Sequence, residues 1–388
     1  MEIYRRLGVR PVINAATTYT RLGGSIMAPQ VAQAMADAAG CFLNLPELQE
    51  AVGRRLAELT HNEAAYVSNG AAAGLALATA ACVTGEDVAL MARLPNDLEG
   101  MKNEVVIHRA HRNWYDIAVR QVGVKLVEIG HLETFPWELD AAITERTAAV
   151  VYFAGKHFER TATLPLPLVI ERAHAHGVPV IVDGAAQVPP VSNFWRYTAE
   201  LGADVAIFSG GKGIGGPQNT GLVVGREAII RAVQLNGPPV QRIGRAMKVS
   251  KEAMVGLLAA VELYLSKDHE AEAATWTAVV DSWLTAWQPS SPQGIAVTRA
   301  ETGEAGEPIP RIIMRFTPEA TIDRDGFVAA LRRDDPAIEV VLNDATSIAF
   351  SPHVLQPGEA AIVKSRVDDL LGGLASSIPA GIPATRAV

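Results

Sequence analysis

The sequence predicts an α/β protein with a large domain, built on a mostly parallel sheet, and a smaller C-terminal α/β domain. Three observations lead to this prediction. Stretches typical of strands and of helices alternate along the chain, which indicates strand–helix–strand units. Residues 148–153 form a continuous apolar run, as in strands that are buried on both faces of a sheet. Near Gly244 the pattern changes, and one long helix is predicted before a second α/β segment.

The first part of the chain supplies the predicted parallel sheet. Helices are expected at residues 71–83, an apolar run, and at residues 168–176. Several strands end at polar or small residues, and such strand ends are where open α/β sheets bind their ligands. The strands are expected at residues 64–67, 104–108, 125–129, 148–153, 178–182 and 204–208, with an antiparallel return strand at residues 221–224.

The second part of the chain supplies the predicted small domain. Its helices are expected at residues 270–287, 325–333 and 358–374, and its strands at residues 295–298, 311–316, 338–342 and 347–350. The Pro- and Ala-rich tail at residues 376–388 is expected to be loosely held. The predicted organisation is therefore an N-terminal arm (1–25), a large domain (26–246), a linking helix (247–267) and a small domain (268–388).

Composition excludes several classes of protein. The chain has 388 residues and a net charge of −8, with no block of Lys or Arg, so a nucleic-acid partner is not expected. Two isolated cysteines, Cys41 and Cys82, make neither a disulfide framework nor a zinc site. The N terminus lacks a signal-peptide pattern, and the longest apolar run, residues 71–83, is shorter than the ~20 residues that span a bilayer. A cytoplasmic protein without a membrane partner is expected.

A run of small residues follows the first predicted strand. Ser68, Asn69, Gly70 and Ala71 stand between this strand and the buried helix. Small side chains let the backbone approach an anion, and a helix N terminus offers free N–H groups and a positive dipole end. The run therefore suits a cofactor phosphate, and an ordinary strand–helix turn is the alternative.

Two further strands end at residues that can do chemistry. Asp183 closes one strand and could pair with a protonated pyridine nitrogen, although a ribose, a metal or a structural cap would also suit it. Lys212 lies between glycines in the run SGGKG and is placed to act as a Schiff-base nucleophile. The spacing of a phosphate-binding P-loop is absent. A surface lysine in a flexible turn is the alternative.

Another candidate group follows the strand at residues 104–108. In the run His108-Arg109-Ala110-His111-Arg112, His111 is predicted to stack on a cofactor ring, with His108 and Arg112 as the next candidates. Arg112 could also hold a phosphate or carboxylate. The two histidines lack a third ligand at useful spacing, so no metal site is predicted. A solvated loop is the alternative.

The order of these groups is more specific than any one of them. A phosphate loop, a ring-stacking loop, an acid for the ring nitrogen and then a lysine is the order used by fold-type I enzymes that depend on pyridoxal 5′-phosphate (PLP). The predicted fold is therefore that of the PLP-dependent transferases of the aspartate-aminotransferase type.

Several runs resemble a known family. RPVINAATTYTRLGGS, LPELQEAVGRRLAELT, SNGAAAGL, VDGAAQVPP and FSGGKGIGGPQNTG are similar to the selenocysteine-synthase-like PLP enzymes, most of all to the branch of the D-glucosaminate-6-phosphate ammonia-lyases. The similarity extends from about residue 6 to about residue 268. It implies Lys212 as the Schiff-base lysine and Asp183 as the partner of the ring nitrogen. It implies cofactor contacts from Ser68, Asn69, Gly70, Ala71, Ala185, Gln187 and Ser209.

The resemblance also bears on contacts beyond the lysine. Arg245 and Lys248 belong to a basic segment that binds anionic groups in the family. Gln187 would contact the ring hydroxyl, although Ala186 stands where related desulfurases often have glutamine. Arg311 and Arg315 are candidates for a substrate carboxylate, and solvated arginines are the alternative.

The resemblance implies a lyase that removes water and ammonia from a 2-amino-3-hydroxy acid, an amino sugar acid or its phosphate, to give a 2-keto acid. Alternatives are an aminotransferase, a racemase, an aldolase and a selenocysteine-synthase-like transferase, the last disfavoured by the net charge of −8 and by the start of the chain close to the catalytic domain. A regulator without activity or a nucleotide-binding protein would be a non-enzyme alternative. A small-molecule substrate and a homo-oligomer are expected, with the arm (1–25) packed on a neighbouring subunit.

Overall fold

The computed structural model describes residues 2–156, 158–159 and 162–376. The predicted loose tail therefore lies, from residue 377 onward, outside the described residues. The chain divides into two compact units. The large unit comprises Gly23–Lys267 and Ala305–Glu307, and the small unit comprises Met1–Leu22, Asp268–Glu304 and Pro308–Val388.

The strands agree closely with those predicted. They are β1 Val12–Asn14, β2 Ala64–Ser68, β3 Glu104–His108, β4 Lys125–Ile129, β5 Thr147–Phe153, β6 Val180–Asp183, β7 Val205–Ser209, β8 Gly221–Gly225, β9 Ile295–Ala300, β10 Arg311–Phe316, β11 Ala337–Glu339, β12 Val341–Asp344 and β13 Ser347–Phe350.

Helices alternate with these strands along most of the chain. They are α1 Glu2–Arg6, α2 Pro29–Ala39, α3 Leu45–Leu59, α4 Gly70–Thr84, α5 Val88–Arg93, α6 Ile117–Arg120, α7 Pro136–Ala142, α8 Leu166–Ala175, α9 Asn193–Trp195, α10 Glu227–Asn236, α11 Lys251–Leu265, α12 His269–Ser290, α13 Arg324–Arg333 and α14 Glu359–Ser376.

The large unit is built on one sheet with the strand order β2-β8-β7-β6-β5-β3-β4. The pairings of β8 with β2 and with β7 are antiparallel, and the other pairings are parallel, which confirms the predicted return strand. Because β2, β3, β5, β6 and β7 run in the same direction, their carboxyl ends meet at one edge of the sheet, where ligands bind in folds of this class.

Both faces of this sheet are covered. Every residue of β5 is buried, as its continuous apolar run predicts. Most residues of α4 are also buried, and they pack on one face of the sheet together with Ile107, Val151 and Ile207. Alternate residues of the same strands face α11 and α8 on the other side. This packing holds the strand ends at fixed positions.

The small unit has its own core. Its antiparallel sheet has the order β12-β13-β10-β9, and β1 pairs in parallel with β11. Trp283 and Trp287, on α12, stack with ring centroids 5.2 Å apart, and Phe350 packs against both. Aromatic side chains supply a large buried area, which suits a unit of this size.

Three predictions about these elements need correction. The helix predicted at residues 247–267 begins at Lys251, because the Ser250 side chain accepts a hydrogen bond from the Ala253 N–H and caps it. The strand predicted at residues 338–342 is two strands, β11 and β12, which belong to different sheets. The predicted arm is not a separate region, because β1 pairs with β11 and belongs to the small unit, and the packing of the arm on a neighbouring subunit stays a prediction.

In the part of the chain that the structure describes, no helix combines the length and the apolar character needed to cross a membrane.

Candidate active site

Two serines flank Gly221 of β8 at the carboxyl edge of the large sheet. Ser68, at the end of β2, and Ser209, at the end of β7, both pair with Gly221, the first residue of β8. The Ser68 hydroxyl donates to the Gly70 carbonyl at 2.9 Å. A side chain on Gly221 would lie 2.6 Å from the Ser68 hydroxyl, so glycine lets the three backbones meet here.

The first turn of α4 follows Ser68 directly. Asn69 is the residue before the helix, and its side chain makes no capping hydrogen bond. The helix begins with Gly70 and Ala71, and the Asn69 side chain accepts no hydrogen bond from its first N–H groups. These N–H groups and the dipole of a 15-residue helix favour an anion at this end.

The loops that follow β6 and β7 pack against each other. Gly184 N–H donates to the Ile207 carbonyl at 2.9 Å, and Ser209 N–H donates to the Ala185 carbonyl at 3.2 Å. Gly213 approaches the Val188 carbonyl so closely that a Cβ atom would overlap it. These contacts require the glycines beside Lys212 that the sequence displays, and they bring the lysine loop to the loop of Asp183.

Asp183 is a desolvated carboxylate near a cation. Burial raises the pKa of its carboxyl, and a hydrogen bond from the Ala185 N–H and the charge of Lys212 oppose this rise. The Ala185 N–H donates to Oδ1 at 2.9 Å. A further cationic hydrogen-bond donor would stabilise the ionised form of such a carboxylate. A protonated pyridine nitrogen is a donor of this kind.

Gln187, the last of the predicted cofactor contacts after β6, is engaged elsewhere. Its Nε2 donates to the Ala305 carbonyl at 3.0 Å. Ala305 belongs to the short segment Ala305–Glu307, which is part of the large unit although it lies between β9 and β10 in the sequence. The amide donor that was expected to reach the ring hydroxyl therefore already has a protein acceptor.

The two histidines after β3 form part of an aromatic cluster. His108 and His111 are both 0% exposed, and their ring centroids are 4.9 Å apart. The His111 ring meets Tyr152 edge to face at 4.6 Å and also contacts Phe153 and Phe158. The stacking role of His111 stays a prediction, and in the structure its buried ring packs against Tyr152 and Phe153 of β5.

Hydrogen bonds and burial hold both histidines neutral. Phe153 N–H donates to His111 Nδ1 at 3.3 Å, and Leu164 N–H donates to His108 Nε2 at 3.1 Å. Burial lowers the pKa of His111 to about 3 and that of His108 to about 4. Phe153 on β5 pairs with Asp183 on the neighbouring strand β6. His111, which accepts the Phe153 N–H, therefore lies beside the strand that adjoins the strand of Asp183.

Arg112 does not face an open anion site. Its guanidinium contacts the buried Asp116 at 2.6 Å and also pairs with Glu128 on β4. The predicted phosphate or carboxylate contact stays a prediction, and the two protein carboxylates that already pair with this cation speak against it. Arg315, in the small unit, is likewise bound, to Asp344 and to Thr346.

The other basic candidates differ in exposure. Arg245 and Lys248 are exposed, Arg245 in the short 3₁₀ turn Ile243–Ala246 and Lys248 just after it. Arg311, at the start of β10 in the small unit, is half-buried. In the residues that the structure describes, no group of three or more His, Cys, Asp or Glu side chains could hold a metal ion.

One part of the site was not predicted from the sequence. Ser25 N–H donates to the Gly211 carbonyl at 2.9 Å, which places it against the loop of Lys212. Gly24, with φ +76°, is required beside it, because a Cβ atom there would lie 2.5 Å from the same carbonyl. The glycine pair in RLGGS was the only signal for this contact in the sequence.

The donors present fit PLP. The uncapped start of α4 and the Ser209 hydroxyl suit its phosphate, the desolvated Asp183 carboxylate suits its ring nitrogen, and the Lys212 amine suits its aldehyde.

Known proteins resemble this chain along most of its length. It is 35% identical to D-glucosaminate-6-phosphate ammonia lyase of Salmonella typhimurium (strain 14028s / SGSC 2262), over 95% of this chain and 98% of that protein. It is 34% identical to a Streptomyces 5′-C-glycyluridine monooxygenase-decarboxylase, over 95% of this chain and 92% of that protein. A solved structure of D-glucosaminate-6-phosphate ammonia-lyase superposes with a TM-score of 0.81 at 33% identity, over 96% of this chain and 99% of that one.

A family profile gives the same assignment. The profile described as SelA, L-seryl-tRNA selenium transferase, matches residues 12–284. This match covers most of the chain, and the fold and the site geometry agree with it. The chain therefore belongs to the SelA family of PLP-dependent enzymes and has the fold-type I architecture.

Proposed function

We propose that this protein is a PLP-dependent lyase that removes water and ammonia from a 2-amino-3-hydroxy acid and releases a 2-keto acid. The observation that carries the proposal is the desolvated Asp183 carboxylate close enough to Lys212 to feel its charge, at the same sheet edge as the uncapped start of α4. The 35% identity to an ammonia lyase, over 95% of the chain, supports this reaction among the many that PLP enzymes perform.

The substrate that we propose is an amino sugar acid with a terminal phosphate. The name of the ammonia lyase states D-glucosaminate 6-phosphate as its substrate. Arg245 and Lys248, both exposed, are the candidate cations for the phosphate of such a substrate. Arg112 is not used in this proposal, because Asp116 and Glu128 hold it.

The residues of the site have separate roles in this proposal. Bound PLP supplies an electron sink for negative charge that develops on the substrate's Cα atom. Asp183 holds a proton on the ring nitrogen, and the low polarity around its carboxylate strengthens this ion pair. Ser209 and the first turn of α4 hold the phosphate and so fix the ring, while Ser68 shapes this turn through its bond to the Gly70 carbonyl.

Lys212 has two roles. Its ε-amine would hold the cofactor's aldehyde, and once a substrate's amine has taken that place, the free Lys212 amine would accept the proton from Cα. The C3–O bond would then break, and the hydroxyl would leave with a proton as water. The Lys212 amine would return to the cofactor and release the unsaturated amine, whose double bond shifts to carbon–nitrogen before one water hydrolyses it to the 2-keto acid and ammonia. One water leaves and one is consumed, so the net product beside the keto acid is ammonia.

An anaerobic ammonia-release assay tests this proposal. Purified PLP-loaded protein is given D-glucosaminate 6-phosphate, the same compound without phosphate, and its 3-deoxy analogue, which lacks the leaving hydroxyl. We expect ammonia and a keto acid from the first, a higher KM for the second and neither product from the third. No turnover under these conditions, with carbon dioxide released once oxygen is admitted in a parallel aerobic assay, would contradict the proposal and would point to the chemistry named for the Streptomyces relative.

We also propose a cytoplasmic homo-oligomer. The first helix, α1, exposes Ile3 by 64% and Tyr4 by 54%, and Leu7 just after it by 71%, and a second subunit would cover such apolar side chains. Light scattering after gel filtration measures the mass, and cell fractionation tests the compartment. A monomer at enzyme concentrations used in assays would contradict the oligomer.

A further inference from the structure

A short segment of the chain lies beside Asp183 although it is distant in sequence. Ala305–Glu307, between β9 and β10, is part of the large unit, and Glu307 in it is only 7% exposed. The loop after β6 holds the segment through the bond from Gln187 Nε2 to the Ala305 carbonyl, at 3.0 Å. The sequence assigned Gln187 to the cofactor, and this bond gives it a different partner.

Gly155 shows how close the segment comes to the site. A Cβ atom on Gly155 would lie 2.9 Å from the Ala305 carbonyl oxygen and 3.0 Å from Gln187 Nε2. The preceding residue, Ala154, donates its N–H to the Asp183 carbonyl at 2.9 Å. The Ala305 carbonyl and the Gln187 amide therefore lie against Gly155, just after the end of β5. The residue before Gly155 is the one that bonds the Asp183 backbone.

Both ends of the contact are fixed. Gln187 is held by its own N–H, which donates to the Gly184 carbonyl at 2.8 Å, and by its carbonyl, which accepts from Asn193 Nδ2 at 2.6 Å. On the other side, Gly306 has φ +90°, and a Cβ atom on it would lie 2.7 Å from the backbone nitrogen of Lys156. The segment is therefore lodged between the loop of Gln187 and the end of β5.

We propose that Gln187 is a positioning residue for the substrate: it holds Ala305–Glu307 as one wall of the substrate site, beside Asp183. This inference rests on the proposed function. The segment offers backbone groups beside the Asp183 loop, the Ala305 carbonyl among them, and such groups suit hydrogen bonds with the hydroxyl groups of a polyhydroxylated substrate.

The Gln187→Ala variant separates this role from the cofactor contact expected from the sequence. We expect faster amide hydrogen exchange at residues 304–307 of the substrate-free enzyme, because the bond that holds the segment is gone. We expect KM for the polyhydroxylated substrate to rise about 10-fold, the effect of one lost hydrogen bond, with kcat little changed. The absorption band of the bound cofactor and its dissociation constant should match those of the wild type.

A second variant tests the same contact by changing the segment Ala305–Glu307 and leaving Gln187 as it is. In Gly306→Ala the added methyl group meets Lys156, so it should displace the segment and produce the same exchange and KM changes. Gly358→Ala is the matched control, because Gly358 has a similar φ of +88° and open space around its Cβ position. In the double variant Gln187→Ala/Gly306→Ala the KM effects should be less than additive, because both changes release one segment.

Two outcomes would overturn the inference. A weaker or spectrally altered cofactor in Gln187→Ala would assign the side chain to the cofactor. Unchanged exchange at residues 304–307 in both variants would show that the segment is held by other contacts. The exchange measurement needs no turnover, so it stands even if the wild type releases no ammonia, and that failure alone would count against the proposed function.

Discussion

The loops after β6 and β7 and the loop after β3 lie at the same edge of the large sheet, yet their polar groups have different surroundings. Asp183 has one backbone hydrogen bond at Oδ1 and a desolvated carboxylate, with the Lys212 amine as the nearby cation. Arg112 pairs with two carboxylates, and His111 accepts a backbone N–H within an aromatic cluster.

This difference shows what distinguishes a reactive strand end from a structural one. In both loops the sequence places charged or ring side chains after a strand, and only their partners tell them apart. A buried side chain whose charge is paired by another protein side chain contributes to stability. A desolvated side chain whose charge is not paired in this way can bind an oppositely charged group of a ligand. Substitutions at Lys212 and Asp183 test the reactive strand ends, and substitutions at His111 and Arg112 test the structural one.

The largest effect is expected at Lys212. Lys212→Arg keeps the positive charge near Asp183 but supplies a side chain that does not lose its proton and cannot serve as nucleophile or base. We expect kcat to fall by ~10⁴-fold or more, measured as ammonia release. The free energy of unfolding should change little, and activity within tenfold of the wild type would rule out Lys212 as the central residue.

Asp183→Asn should separate activity from stability. We expect kcat to fall on the order of 10²–10³-fold, because the ring nitrogen loses its ion pair. Without cofactor the variant should be more stable than the wild type at neutral pH. The pKa of Asp183 is raised in the folded state, so its ionised form opposes folding, and this penalty disappears as the pH falls into the acid range where Asp183 takes up its proton.

Thermal unfolding of the two cofactor-free proteins between acid and neutral pH measures this difference. A wild type that is more stable than Asp183→Asn at neutral pH would mean that a protein group already pairs with the carboxylate, and the two loops would then no longer differ.

A moderate effect on stability is expected at His111. His111→Phe keeps the ring contacts with Tyr152 and removes the acceptor of the Phe153 N–H, which should cost about 1–3 kcal/mol of unfolding free energy. Cofactor affinity should stay within a few-fold of the wild type. A large loss of affinity with little loss of stability would restore the stacking role predicted from the sequence.

The same residue gives a dependence on pH with a definite sign. The pKa of His111 is lowered to about 3, so between that value and its ordinary value near 6.5 the unfolded chain binds a proton that the folded chain does not. Unfolding free energy should therefore fall as the pH drops from about 6.5, and less steeply in His111→Phe than in the wild type. Denaturant titrations at several pH values measure this slope.

The smallest effect is expected at Arg112. Arg112→Ala removes the contacts with Asp116 and Glu128, but Arg120 still pairs with Asp116 at 2.8 Å, so a loss of about 1 kcal/mol or less is expected. KM should be unchanged within twofold, whereas Arg245→Ala should raise KM for the phosphorylated substrate about 10-fold. A rise in KM for Arg112→Ala alone would return this arginine to the anion site.

Local patterns were sufficient to predict most of the fold. The strands at Glu104–His108, Lys125–Ile129 and Arg311–Phe316 have the bounds that their apolar runs predict. Errors arose where the pattern is continuous but the chain changes partner. Residues 338–342 look like one strand, yet Glu339 pairs with β1 while Val341 pairs with β13, and no local signal marks this change.

The candidate site was predictable only in part for a similar reason. The spacing of Arg112 and Asp116, four residues apart on a turn, could have indicated their ion pair from the sequence. The bond between Gln187 and Ala305 could not, because it joins residues 118 positions apart. Glycines mark where backbones meet, but the sequence does not name their partners.

Borohydride reduction of the PLP-loaded protein, followed by peptide mapping, tests the central claim most directly. We expect the wild type to show a visible cofactor band that borohydride bleaches, and we expect the reduced cofactor on the peptide that carries Lys212. Lys212→Ala, treated in the same way, should yield no adduct at this peptide. A cofactor trapped on another lysine of the wild type, or no adduct at all, would contradict the assignment of the site.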